Sequence, residues 1–265
     1  MNPTLTTDPL TSYTSVTEMP GQGQTKEGMS MLVTRYVTAA RMARGKDVLD
    51  VSCGPGMGIG LLLQEAKSVT AGDFDTDMVA KVNETYSGRV TAQQLDATAL
   101  PFADSSFDLV LIMESIYFMP EGQRAITEAA RVLRPGGKLF IATANRDWTS
   151  FNPAPMTHHY FTAAELVGLF QKHGLQPEIK VGFRDEPAGI KGKIFSVVRK
   201  LAVTFRLIPD TMEGKEKLKR LVYGPLPTMP DVLKESDAEF HEFVDLGGNE
   251  VPKDYKVVYA IGTKG

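Results

Sequence analysis

One stretch constrains this chain more than any other: Val48-Leu49-Asp50-Val51-Ser52-Cys53-Gly54-Pro55-Gly56-Met57-Gly58-Ile59-Gly60. Val48 to Val51 is a short apolar run, the pattern of a buried parallel strand. The chain then breaks into glycines and resumes as an apolar helix start over Ile59-Gly60-Leu61-Leu62-Leu63. Alternating glycines let a backbone turn sharply and let a ligand lie against bare peptide. A dinucleotide fingerprint needs glycines at its first, third and sixth positions. Here the sixth position is Ile59 counted from Gly54, or Leu61 counted from Gly56, so that spacing fails. What remains is an acid followed by G-x-G-x-G, and its meaning depends on the residues standing at fixed distances downstream.

The helix continues from Leu61 to Ala66, and Ser68 to Gly72 reads as a second strand ending at Asp73, 23 residues after Asp50. An acid about 20 residues past such a loop sits where two ribose hydroxyls can be bound. Asp75 and Asp77 read as caps in the first turn of a helix running through Met78, Val79 and Val82. Val90 to Gln93 is a third strand, followed by Leu95-Asp96-Ala97. Asp96 can accept a hydrogen bond from an adenine amino group, with Phe74 and Met78 as apolar faces for the ring. Leu109 to Met113 is an unbroken apolar run, expected of a strand covered on both faces. Glu121 to Leu133 is an amphipathic helix stopped by Arg134-Pro135-Gly136-Gly137, and Lys138 to Thr143 is a fifth strand. Upstream, the spacing Met31, Val33, Tyr36, Val37, Ala40 predicts a helix over Glu27 to Ala43, either packed on the sheet or capping a ligand. Strands alternating with helices predict an α/β doubly wound parallel sheet, with its ligand at the carboxyl ends of the strands.

Five segments in this order resemble class I S-adenosylmethionine-dependent methyltransferases of the small-molecule kind, the group that includes ubiquinone and sterol methyltransferases. They are Leu49 to Gly56, Gly72 to Asp75, Asp96 to Phe102, Ser106 to Val110 and Arg131 to Gly137, within Lys46 to Thr143. The resemblance implies a Rossmann-like, mostly parallel seven-stranded sheet with an antiparallel last strand. It implies S-adenosylmethionine as cofactor and S-adenosylhomocysteine as product. Asp50, Cys53, Gly54, Gly56 and Gly58 would form the loop along the methionine part, and Asp73 would bind ribose. Phe74, Met78, Asp96 and Ala97 would lie at adenine, and Met113 beside the cofactor. Met57, where a small polar residue is common, and Asp75, where Ser is common, depart mildly from the family pattern.

Beyond the fifth strand the resemblance thins. Thr162 with Glu165 three residues on is a capping box for a helix over Ala163 to Phe170. Gln176 to Gly182 reads as the sixth strand and Tyr255 to Gly262 as the closing one. This gives a tail over 1–24, a cofactor-binding domain over 25–182 plus 255–265, and a mainly helical insertion over 183–254 that selects the acceptor. Ile194, Val198, Leu201, Phe205 and Ile208 recur at helical spacing among basic residues. That pattern suits a lid with a solvated basic face, or peripheral membrane contact or a lipid-linked acceptor through 190–220.

Methyl transfer from a sulfonium is a direct displacement, and a hydroxyl acceptor can also use a base. The candidates are His158, His159 and Tyr117, with Glu114 and His241 behind them. No Asn-Pro-Pro-aromatic signature of base amino-group methylation is present, and the lone Cys53 belongs to the loop. A single cysteine excludes intramolecular disulfides and cysteine zinc clusters, and no metal site is expected. The net charge of -3 gives no footprint for nucleic acid. With no signal core or spanning apolar run, the expectation is a cytoplasmic enzyme acting on a small molecule, most simply at a hydroxyl oxygen. The alternatives are an NAD(P)-dependent oxidoreductase, for which no Tyr-x-x-x-Lys pair is found, and a non-catalytic module acting through the insertion.

Overall fold

The computed structural model describes residues 16–90, 92–185, 212–247 and 250–265. Helix α1 (Lys26–Ala43) leads into β1 (Asp47–Asp50), α2 (Ile59–Glu65), β2 (Ser68–Asp73), α3 (Thr76–Thr85) and β3 (Ala92–Gln94). β4 (Phe107–Met113), α4 (Gly122–Val132) and β5 (Leu133–Ala144) come next, then α5 (Ala163–Lys172) and β6 (Leu175–Arg184). The chain closes with α6 (Met212–Tyr223), β7 (Val244–Asp245) and β8 (Tyr255–Lys264).

Among the described residues eight strands form one sheet in the order β3-β2-β1-β4-β5-β8-β6-β7. β1 to β5 pair in parallel, while β8 runs antiparallel between β5 and β6. The expected seven strands are therefore present. The eighth is a two-residue edge, Val244 and Asp245 on Val181 and Lys180, too short to leave a pattern in the sequence.

Strand alternation divides the core into two layers. Leu109, Leu111 and Met113 of β4 pack with α1 and α2, whereas Val110 and Ile112 pack with α4 and α5. Both faces of β4 are covered, which is why its sequence is apolar throughout. Thr25 caps α1 through Gly28 N, Asp75 caps α3 through Asp77 N, and the Thr162–Glu165 capping box starts α5. The loop before β4 is bolted to α4 by Arg131. Its guanidinium pairs with Glu128 at 2.8 and 2.9 Å and donates to the carbonyls of Leu100 and Phe102.

The expected tail over 1–24 lies outside the described residues up to 15. From there on the chain is tied down: Gly21 and Gln24 donate backbone bonds to Met229 and Pro227, and Glu18 pairs with Arg35. The stripe from Ile194 to Ile208 lies outside the described residues. Of the later part of 183–254, Leu233 donates to the Met57 carbonyl at 2.8 Å, so this segment sits on the glycine loop. In α6, Lys217 and Arg220 are paired with Glu213 and Glu216 one turn away. Among the described residues no helix is long and apolar enough to cross a membrane.

Candidate active site

A cavity of about 920 Å³ opens at the carboxyl ends of β1, β2 and β4. Its floor is the glycine loop. Gly54 has φ +54° and Gly56 has φ +82°, a left-handed backbone that side chains resist. Over Gly54 the space is open, the nearest atom to a notional Cβ being Thr17 Cγ2 at 3.8 Å. Gly56 faces away from the cavity, where a Cβ would lie 2.7 Å from Val82 and 3.3 Å from Tyr86. At Gly58 a Cβ would lie 2.2 Å from the Tyr36 ring.

Asp73 ends β2 and lines the cavity. Its Oδ2 accepts from Gly54 N at 2.9 Å and its Oδ1 from Asp75 N at 3.0 Å, so each oxygen keeps a lone pair for a ligand. Burial raises its ionisation to about 6, against the lowering effect of those backbone bonds. Asp96 accepts both Thr98 N and Thr98 Oγ1 on Oδ1, at 2.8 and 2.7 Å. Cys53, Gly58, Phe74, Ala97 and Met113 complete this part of the wall.

Three expected cofactor residues stand elsewhere. Met78 is buried in α3 and does not line the cavity; Phe74 and Leu95 supply the apolar surface there. Gly56 lies behind the loop, against α3. Asp50 is buried beneath it, where Tyr36 Oη donates to Oδ2 at 3.3 Å and Oδ1 has no partner. Burial raises its ionisation to about 7.

The same cavity reaches Glu114 and Tyr117. Glu114 comes directly after β4 with φ +52°, an uncommon conformation for a residue with a side chain and one found at functional sites. Tyr117 Oη donates to Glu114 Oε2 at 2.9 Å, and its ring stacks on Tyr160 at 4.3 Å. Burial holds the Glu114 carboxyl above its ordinary range, against the lowering effects of Arg35 and the Tyr117 bond.

The structure does not bring the histidines here. His158 is exposed and is absent from the cavity lining, while its backbone N–H bonds the Tyr117 carbonyl at 2.8 Å. His159 lies 3.1 Å from Glu165, the capping-box acid, which accounts for its position outside the cavity. His241 packs on Phe183. Sequence reasoning missed Arg35 and Tyr36, read only as members of a helix, and Tyr86. Tyr86 Oη donates to the Gly56 carbonyl at 2.8 Å and accepts Gly60 N at 3.0 Å. No local pattern announces these contacts, because each is made across the fold.

The open backbone over Gly54, the acceptor oxygens of Asp73 and Asp96 and the cavity volume suit an adenosyl cofactor. Among the described residues no cluster of His, Cys, Asp and Glu is arranged to hold a metal ion.

A family model described as a methyltransferase domain matches residues 49–141. A protein of Mycolicibacterium smegmatis described as a probable S-adenosylmethionine-dependent methyltransferase is 33% identical over 153 residues, covering 56% of this chain and 58% of that one. The chain spans 50–58% of the length of the mycobacterial relatives it matches. A ubiquinone biosynthesis O-methyltransferase of Xanthomonas axonopodis is 32% identical over 171 residues, covering 57% of this chain and 72% of that one. The crystal structure of an S-adenosylmethionine-dependent methyltransferase from Archaeoglobus fulgidus superposes with a TM-score of 0.56 at 16% identity, covering 89% of this chain and 94% of that one, a likeness of fold. Loop, strand-end acids, sheet order and relatives agree, and the chain belongs to the class I S-adenosylmethionine-dependent methyltransferases.

Proposed function

We propose that this chain transfers a methyl group from S-adenosylmethionine to a hydroxyl oxygen of a small molecule. The observation that carries the oxygen assignment is the hydrogen-bonded Glu114–Tyr117 pair, which lines the same cavity as the glycine loop. The relative named for ubiquinone biosynthesis O-methylation supports the same choice.

Bound in the cavity, the cofactor would supply an electrophilic methyl on a sulfonium, with the neutral thioether as leaving group. Asp73 would hold the ribose hydroxyls, and Asp96 the adenine amino group through Oδ2. A carboxyl raised by burial is better matched to taking a proton near neutral pH. Glu114 therefore takes the acceptor hydroxyl proton as the oxygen bonds to the methyl carbon, while Tyr117 fixes the orientation of the carboxylate. Phe118, Met119 and Trp148 in the wall exclude water and leave a largely apolar bed for the acceptor.

Incubation with methyl-labelled S-adenosylmethionine and a panel of phenols, alcohols and amines tests the reading. The label is expected on oxygen. Glu114→Gln is expected to lower kcat about 10²–10⁴-fold, the range of general-base catalysis, with affinity for S-adenosylhomocysteine unchanged. Label on nitrogen or carbon, or a turnover indifferent to Glu114→Gln, would overturn it.

A further inference from the structure

The sheet order sets three features of the cavity in a row. The glycine loop follows β1, Glu114 follows β4 and Trp148 follows β5, and these strands are neighbours in that order. Trp148 is held more firmly than excluding water requires. Asn145, fully buried, builds its turn: Nδ2 donates to the carbonyls of Pro252 and Tyr255 at 2.6 and 2.7 Å, and Oδ1 accepts from Asp147 N at 3.0 Å. Trp148 Nε1 donates to Asp185 Oδ2 at 3.0 Å, and Lys256 Nζ stands 5.7 Å from the ring centre. With its single N–H bonded to Asp185, the indole offers the cavity carbon surface alone. The same turn reaches Glu114, whose carboxyl accepts from the backbone N–H of Ala144 at the end of β5.

Two further observations narrow the acceptor. Lys256 is paired with both oxygens of Glu27, at 2.6 and 2.7 Å, and Arg35 with Glu18 at 3.2 Å. An anionic acceptor would have to compete with one of these carboxylates, whereas an uncharged one leaves both pairs in place. The base is a carboxylate. It takes a proton more readily from a phenol, which ionises at about 10 as tyrosine does, than from an aliphatic hydroxyl, closer to water at about 15.7.

We propose that Trp148 is the specificity-determining platform for the acceptor and that the acceptor is an uncharged phenol, its ring against the indole and its hydroxyl at Glu114. A rigid indole selects by shape, since a flat ring stacks on it and a puckered saturated ring of the same size does not. The transfer is the one already proposed: the phenol oxygen gains the methyl, its proton passes to Glu114 and the thioether leaves. The inference rests on that reading of transfer to oxygen.

The test uses the full chain, methyl-labelled S-adenosylmethionine and a panel of 4-alkylphenols, each paired with its 4-alkylcyclohexanol, together with 4-hydroxybenzoate and 4-alkylanilines. Wild type, Trp148→Leu and Trp148→Phe are measured. The alkylphenols are expected to exceed both the cyclohexanols and 4-hydroxybenzoate in kcat/KM. Trp148→Leu, which keeps an apolar side chain without a ring, should lower kcat/KM for the best phenol about tenfold, chiefly through KM. Trp148→Phe should recover most of that loss. Affinity for S-adenosylhomocysteine by calorimetry should stay within about twofold in both variants, which reports that they are folded. Cyclohexanols or 4-hydroxybenzoate labelled on oxygen as well as the phenols, no phenol labelled at all, or a KM indifferent to Trp148→Leu would each refute this inference while leaving transfer to oxygen standing. Label on the aniline nitrogen or on ring carbon in preference to oxygen overturns that reading, and this one with it.

Discussion

Asp50 is a carboxyl the fold holds at a cost, and replacing it with asparagine measures that cost. It ends β1 fully buried, with a single 3.3 Å bond from Tyr36 Oη and no partner on Oδ1. Burial raises its ionisation from 3.8 to about 7, opposed by the Tyr36 bond and assisted by the charge of Asp73. One pH unit corresponds to about 1.4 kcal/mol, so the charged form forfeits on the order of 4 kcal/mol. The sign is set by which state ionises first. Below 3.8 both states are protonated and the folded chain keeps its full stability. Between 3.8 and about 7 the unfolded chain ionises while the folded one does not, and stability falls; above that range the loss is complete. Asp50→Asn removes the titration, and its amide, short of partners, costs about 1–3 kcal/mol at every pH. Urea denaturation of both proteins at about pH 4, the lower edge of that window, and about pH 8.5, above it, is the assay. Variant minus wild type should rise by about 4 kcal/mol from the lower pH to the higher, since other titrating groups largely cancel in the difference. A change below about 1 kcal/mol would show that Asp50 is already solvated or paired, and would refute the argument from burial.

Asp73→Ala should weaken S-adenosylhomocysteine more than tenfold by calorimetry, matching the loss of a charged acceptor at about 1.5–3 kcal/mol. In wild type that affinity should fall as pH drops through about 6, where Asp73 takes up a proton and loses the charge that strengthens its bonds to the ribose hydroxyls; a flat profile removes Asp73 from the ribose. Gly58→Ala should destabilise the chain by about 1–3 kcal/mol in urea titration, because its Cβ enters the Tyr36 ring. The double variant with Tyr36→Ala should recover part of that loss, and strict additivity would count against the contact. Tyr86→Phe should cost about 1–3 kcal/mol by leaving Gly60 N and the Gly56 carbonyl without their hydroxyl.

Strand-end acids and the glycine loop are set by local backbone, so Asp73, Asp96 and Gly54 can be placed from spacing alone. The β4 run and the capping box at Thr162 obey equally local rules. Where a residue's role depends on a partner far along the chain, the pattern is silent. Tyr36 looks like one more apolar position on α1, yet its hydroxyl reaches Asp50, 14 residues away. The adjacent histidines look catalytic by residue type alone; Glu165 holds one and solvent surrounds the other.

The three loop glycines show the same division within a few residues. Gly54 needs its left-handed backbone and has open space above it, as a ligand cradle requires. Gly56 combines a left-handed backbone with the close approach of Val82 and Tyr86 from the α3 side, away from the cavity. Gly58 is not among the positive-φ residues and is constrained by the Tyr36 ring. Two tyrosines from different parts of the chain therefore clamp the loop, one bonded to its carbonyl and one to the acid beneath it. A loop held this way is ordered before any ligand arrives, which lowers the ordering cost of binding. A side chain at Gly56 would act by pushing α3 away rather than by filling the ligand's space. Loss of cofactor affinity in such a variant should then be accompanied by loss of stability, whereas Asp73 variants should show the first without a comparable share of the second.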